Sequence, residues 1–205
     1  MTDFKTDEEK AEDIKRWWKE NGTSVIAGVA LAIAGLFGWE YWQGNKIQNA
    51  EAASADYLIA SRETDTAVAQ QQLANLRDNY SATPYAAMAA LQSAKLYAEA
   101  GKDQEAATAL QWVIDNSSET EYQEVARLRL ARVHIAMKKY DDALALTKYD
   151  YGDGFESLLD ELRGDIFAAQ SKVDDARKAY ERAILTDGGA NELIQMKLDN
   201  LGKGA

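Results

Sequence analysis

Few residues in this chain are equipped for covalent or metal chemistry. There is one histidine, His134, and no cysteine, so a thiolate nucleophile, a disulfide and a Cys/His metal cluster are excluded. Acids are plentiful, but one imidazole and scattered carboxylates would suit only a hard cation, and no ordered spacing supports such a site. The stretch "DYGDG" at 150–154 lacks the alternating Asp/Asn pattern and the downstream Glu of a calcium loop, and reads as a turn. No P-loop, dinucleotide fingerprint or nucleophile elbow is present. The expectation is therefore no enzyme, no cofactor and no metal. What remains is recognition of other protein chains. The candidates are Leu91, Lys95, Glu99, Leu128, Arg132, Ile135, Glu161 and Asp165, a mixture of charged and apolar residues suited to weak contact with extended segments or a partner's loop. A net charge of -11 would repel a nucleic-acid backbone, so no nucleic-acid partner is expected.

These candidates are placed by an internal repeat. One proline and abundant Ala, Leu, Glu, Gln and Lys point to helix throughout, with no alternating β-branched runs. Three stretches align without gaps: "LQSAKLYAEAGKDQEAATAL" from Leu91, "LRLARVHIAMKKYDDALALT" from Leu128 and, shifted by one, "LRGDIFAAQSKVDDARKAYE" from Leu162. The anchors are Ala106, Ala143 and Ala176, each after an acid and spaced 37 and 33 residues apart. That is close to the roughly 34-residue helical hairpin of tetratricopeptide repeats. Twelve residues before each anchor lies a small residue (Ala94, Ala131, Gly164), and nine before lies a ring (Tyr97, His134, Phe167). Small residues let paired helices cross closely, and rings fill the wedge to the next pair. Polar turns "GKDQ", "KKYD" and "SKVD" separate the helices, with Asp103, Asp141 and Asp174 expected to cap the second ones. A degenerate first unit has Ala69 as anchor, Tyr57 or Ala60 before it and Leu73 and Leu76 after it. Pro84 suits the first turn of the following helix. Asn116-Ser117-Ser118 and Gly188-Gly189 stand where this repeat usually has a proline, and "KYDYGDGFESL" replaces the end of the second aligned unit. The inner faces of the first helices would form a groove carrying the eight candidate residues.

The remaining element is apolar. From Asn21 to Trp39 there are 19 residues without a charge, close to the roughly 20 needed to cross a membrane's hydrocarbon core. Trp17 and Trp18 flank one end, and Trp39, Tyr41 and Trp42 the other, as interfacial belts do. Residues 1–20 hold five Lys or Arg and residues 43–62 hold two, so the N-terminus should be cytoplasmic and the bulk on the far side. Gly28, Ala30, Ala32, Ala34 and Gly38 would let another membrane helix approach closely. Two other readings of the segment are a cleaved signal peptide, with Ala50-Glu51-Ala52 as its site, and the buried helix of a soluble protein. An apolar run longer than the ~7–15 residues of a signal core, followed by bulky aromatics, argues against cleavage.

The resulting organisation is all-α. A short cytoplasmic segment (1–20) leads to a transmembrane helix (21–42) and a helical-repeat domain (43–205). The repeat units lie near 50–82, 84–118, 122–150 and 156–188, with a closing helix at 190–201.

Over its whole length the chain resembles the YfgM family, the ancillary subunits of the SecYEG protein translocon. The resemblance is carried by the acidic start running into "IKRWWKENGTSVIAGVALAIAGLFGWEYWQ", by "LRLARV" at 128–133, "LRGDIFAAQ" at 162–170 and the closing "QMKLDNL". It implies a single-pass protein of the bacterial inner membrane with a periplasmic tetratricopeptide-like domain. Its implied partners are SecYEG, the membrane-anchored chaperone PpiD and unfolded secretory or outer-membrane clients passed to periplasmic chaperones. Alternatives are a regulator of an envelope stress response acting through residues 1–20, and a cleaved, soluble periplasmic chaperone.

Overall fold

A computed structural model describes residues 6–152, 154–187 and 191–201. All regular structure among them is helical, and the chain divides into two compact units, Met1–Asn49 and Ala50–Ala205.

Helix α1 spans Asp7–Arg62. It starts with a reciprocal cap. The Glu9 amide donates to Thr6 Oγ1 (3.4 Å), and the Thr6 amide donates to Glu9 Oε2 (3.0 Å), so two otherwise unpaired backbone donors are satisfied. Its apolar window is long enough to cross a membrane and only 6% buried. Leu31, Phe37 and Ile26 are exposed, as a segment facing lipid requires. The helix does not stop at Trp42, so the apolar segment 21–42 lies inside a longer element. Trp39 and Trp42 pack at 5.1 Å between ring centroids, and Lys46 Nζ sits 4.6 Å over the Trp42 ring. An indole pair with a cation above it combines an apolar body and a wet edge, as an interfacial belt requires.

The second unit contains the end of α1 and α2 (Thr66–Asn79), α3 (Pro84–Glu99), α4 (Asp103–Asn116), α5 (Thr120–Ala136), α6 (Tyr140–Leu146), α7 (Glu156–Ala169), α8 (Val173–Thr186) and α9 (Glu192–Asn200). From α2 onward each helix packs on the next in sequence, and the first helices of successive pairs also touch, α3 on α5 and α5 on α7. Each buried cluster is therefore local to one or two neighbouring pairs, the arrangement expected of a solenoid.

The anchors sit where close crossing demands small residues: Ala106, Ala143 and Ala176 are fully buried, as is Ala131, and Ala94 nearly so. In the degenerate first unit Ala60, Ala69, Leu73 and Leu76 are buried and Tyr57 packs against them. Pro84 opens α3, where its missing N–H costs nothing.

The turns inside the three aligned hairpins share one backbone solution. The second residue after each first helix is left-handed: Gly101 (φ 70), Lys138 (φ 60) and Ser171 (φ 60). The next amide then donates back to the ring position, Lys102 to the Tyr97 carbonyl (2.8 Å), Lys139 to His134 (2.8 Å) and Lys172 to Phe167 (2.9 Å). This closes the exposed carbonyls at the helix end.

Two expectations are corrected. Asp103, Asp141 and Asp174 do not cap their helices; each lies in the first turn, and Lys102, Lys139 and Lys172 occupy the cap positions without side-chain bonds. The acids act instead on the positive end of the helix dipole. Side-chain caps occur elsewhere. Asp65 Oδ1 accepts the Ala67 amide (2.8 Å), and Asn191 Oδ1 accepts the Ile194 amide (3.3 Å). The second aligned unit is also shorter than its pattern suggests, because α6 has seven residues. Its exit is held by tertiary bonds. Arg163 Nη2 donates to the Thr147 carbonyl (2.7 Å), Tyr151 Oη to the Leu146 carbonyl (2.8 Å), and the Gly152 amide to Glu124 Oε1 (2.8 Å). Asp153 in "DYGDG" and the Gly188-Gly189 junction lie outside the described residues.

Candidate protein-binding groove

The inner face is built from α3 and α5. Ala94 and Ala98 keep α3 slim, Leu110 reaches up from α4, and Val133 comes from α5. Between them is a cavity of about 240 Å³ with an apolar floor, rimmed by Lys95, Arg129 and Arg132. Lys95 and Arg132, expected on this face, thus share one cavity. Glu99 is exposed one turn from Lys95, with Lys95 Nζ 3.7 Å from its Oε1; both side chains are more than half exposed, so the pair is weak.

The other candidates are engaged inside the chain. Leu91 belongs to the core shared by α3, α4 and α5. Leu128 is buried in the cluster of α5, α6 and α7, and the half-buried Ile135 packs against that cluster. Glu161 is buried and Asp165 half-buried, and both are held by Lys197 of α9. Lys197 Nζ lies 2.6 Å from Glu161 Oε1 and 2.8 Å from Asp165 Oδ1. Tyr180 Oη also donates to Asp165 (2.8 Å). Burial pushes the Tyr180 hydroxyl pKa well up, reinforced by the Asp165 bond. For Lys197 burial acts downward, but the bonds to Asp165 and Glu161 outweigh it and raise the pKa. These carboxylates seal the closing helix onto the last pair and are spent on that task. The free surface therefore contracts to Lys95, Glu99 and Arg132, joined by Arg129.

Arg129 was not among the sequence candidates. Its signal was available: Arg129 and Arg132 are three apart in "RLRLAR" and so share a helix face. Leu128, four residues before Arg132, lies on the opposite side of it from Arg129, and the 100° between Leu128 and Arg129 is the step from core to cavity rim.

A larger cavity, about 450 Å³, lies along α4 against α5, lined by Gln104, Trp112, Leu130 and His134 among others. Its polar groups are largely spent on α4 itself, with Thr108 Oγ1 donating to the Gln104 carbonyl (2.9 Å) and Gln111 Nε2 to Asp115 Oδ1 (2.9 Å). Burial lowers the His134 pKa and so favours the neutral ring, partly opposed by Asp142. No cluster of three or more potential metal ligands occurs among the described residues.

In the first unit Ala30, Ala32, Ala34, Gly28 and Gly38 are all exposed, and a Cβ placed on Gly28 or Gly38 would meet nothing within 4 Å.

The family of tetratricopeptide repeat-like domains matches residues 15–203. Among relatives, a protein of Escherichia coli (strain K12) is 29% identical, aligned over 98% of this chain and 99% of its own. One from Aggregatibacter actinomycetemcomitans is 32% identical over 95% and 97%, and one from Neisseria gonorrhoeae 33% identical over 95% and 97%. Each of these three is named ancillary SecYEG translocon subunit.

Proposed function

Because the chain belongs to the ancillary SecYEG translocon subunit family, we propose that it is a membrane-anchored binding scaffold stationed at the translocon. Its span fixes it in the bacterial inner membrane, residues 1–20 face the cytoplasm and the repeat domain faces the periplasm. The exposed stripe of Gly28, Ala30, Ala32, Ala34 and Gly38 packs on a translocon helix, where close backbone approach rather than apolar burial drives association. In the periplasm the domain works with PpiD to pass emerging secretory and outer-membrane chains to soluble chaperones. Catalysis is no part of this role.

The observation that carries the reading is a single apolar helix joined in sequence to a repeat domain with an open, cation-rimmed groove. Such a tether acts through effective concentration. A domain held beside the exit meets each emerging chain at a high local level, so contacts of modest affinity suffice and clients are released again.

The test is photocrosslinking in inner-membrane vesicles from a photoreactive residue at position 98, with and without Lys95→Glu plus Arg132→Glu. Charge reversal is expected to abolish most crosslinks to clients and PpiD while helicity stays unchanged. Crosslinks that persist at full strength would show that the groove is not the binding surface.

A further inference from the structure

We infer that the groove between α3 and α5 selects extended segments in which a single carboxylate sits beside an aliphatic side chain. The inference rests on the groove being the binding surface, and adds what it recognises.

Arg163, Arg182 and Lys197 of this domain each have a carboxylate partner within 3.0 Å. Arg129 and Arg132 have no hydrogen bond or ion pair among the described residues, in a protein with a net charge of -11. Two free guanidinium groups and Lys95 border a floor made by Ala94, Ala98, Leu110 and Val133. A purely apolar occupant would cover these cations without pairing them, which is unfavourable. An isolated anion would leave the floor wet. A polyanion would meet the repulsion of the whole acidic domain. A lone carboxylate joined to an aliphatic group satisfies rim and floor together, and a guanidinium binds it through two parallel hydrogen bonds. The size of the cavity agrees. At about 240 Å³ it falls below the ~300 Å³ at which small-molecule pockets begin, so it accommodates one or two side chains of a longer chain.

The experiment uses the full chain in detergent micelles at low salt. Fluorescence anisotropy compares a C-terminally amidated peptide with an uncharged BODIPY label, Gly-Ser-Leu-Glu-Leu-Ser-Gly, with the same peptide carrying Gln for Glu. The Glu peptide should bind about tenfold more tightly, a ratio that shrinks as salt rises. Arg129→Gln with Arg132→Gln should bring the ratio to about one while the Gln peptide binds as before. Glu99→Gln should tighten the Glu peptide about two- to threefold by releasing Lys95. Equal binding of the two peptides to the unmodified protein, no binding of either, or a ratio that survives the double substitution would each overturn the inference. Equal binding with crosslinking still sensitive to charge reversal would leave the groove as the binding surface and remove only this ligand class. Crosslinking insensitive to charge reversal would remove the groove itself.

Discussion

Gly164 shows how far one atom matters in a close-packed repeat. It holds the small-residue position of the last aligned unit, and a Cβ there would overlap the Tyr180 ring, which is itself 3% exposed and bonded to Asp165. Gly164→Ala is expected to destabilise the fold by about 2 kcal/mol, read as a lower midpoint in urea. The turn residues point the other way. Lys138 and Ser171 hold the left-handed conformation that Gly101 adopts without steric cost. Lys138→Gly should therefore stabilise by about 0.5–1 kcal/mol in the same assay, part of the relief being offset by the greater freedom of glycine when unfolded. The small anchors were legible because a missing side chain leaves a periodic trace. Caps and left-handed turns were not, since "KYDD" and "KVDD" are compatible with a helix starting at the acid or just before it. Leu128 was identified as important but aimed wrongly, because one residue of phase separates core from groove.

Among the elements, α9 is attached by chemistry as well as by Ile194, which is 1% exposed in the last cluster. Lys197→Ala would strand the carboxylates of Glu161 and Asp165 and is expected to cost about 2 kcal/mol, with faster amide exchange confined to α8 and α9. Uniformly increased exchange across the domain would contradict this local role. The hairpins themselves were readable from the spacing of Ala106, Ala143 and Ala176. The early stop of α6 was not, since "ALALTKYD" carries no breaker. It ends because Thr147, Tyr151 and Gly152 find partners on α7, α6 and α5. The partners on α7 and α5 are remote in sequence, so local pattern cannot announce them. For the same reason Glu161 and Asp165 read as surface acids until α9 supplied their cation.

For the molecule as a whole, charge sets a limit on the alkaline side. Burial and neighbouring groups hold the Tyr151 hydroxyl at about 12, and the Tyr57 and Tyr180 hydroxyls and the Lys197 ammonium also lie above their ordinary values of 10.0 and 10.5. A folded state that keeps these protons longer than the unfolded chain is stabilised below the unfolded pKa and loses that advantage as pH rises. The urea midpoint should thus be level between about pH 7 and 9 and fall above about pH 10. A fall beginning near pH 8 would contradict these assignments.

At the same scale, the proposed role depends on which side of the membrane each part occupies. The sequence contains no cysteine, so a thiol can be introduced at one position at a time. The most direct measurement is labelling of Glu8→Cys and Glu105→Cys variants by a membrane-impermeant maleimide, in cells whose outer membrane has been permeabilised and whose inner membrane is intact. A scaffold held across the inner membrane by one helix predicts strong labelling at 105, and labelling at 8 only after the inner membrane is lysed. Labelling at 8 with protection at 105, or a mature chain that begins near residue 50, would contradict the account.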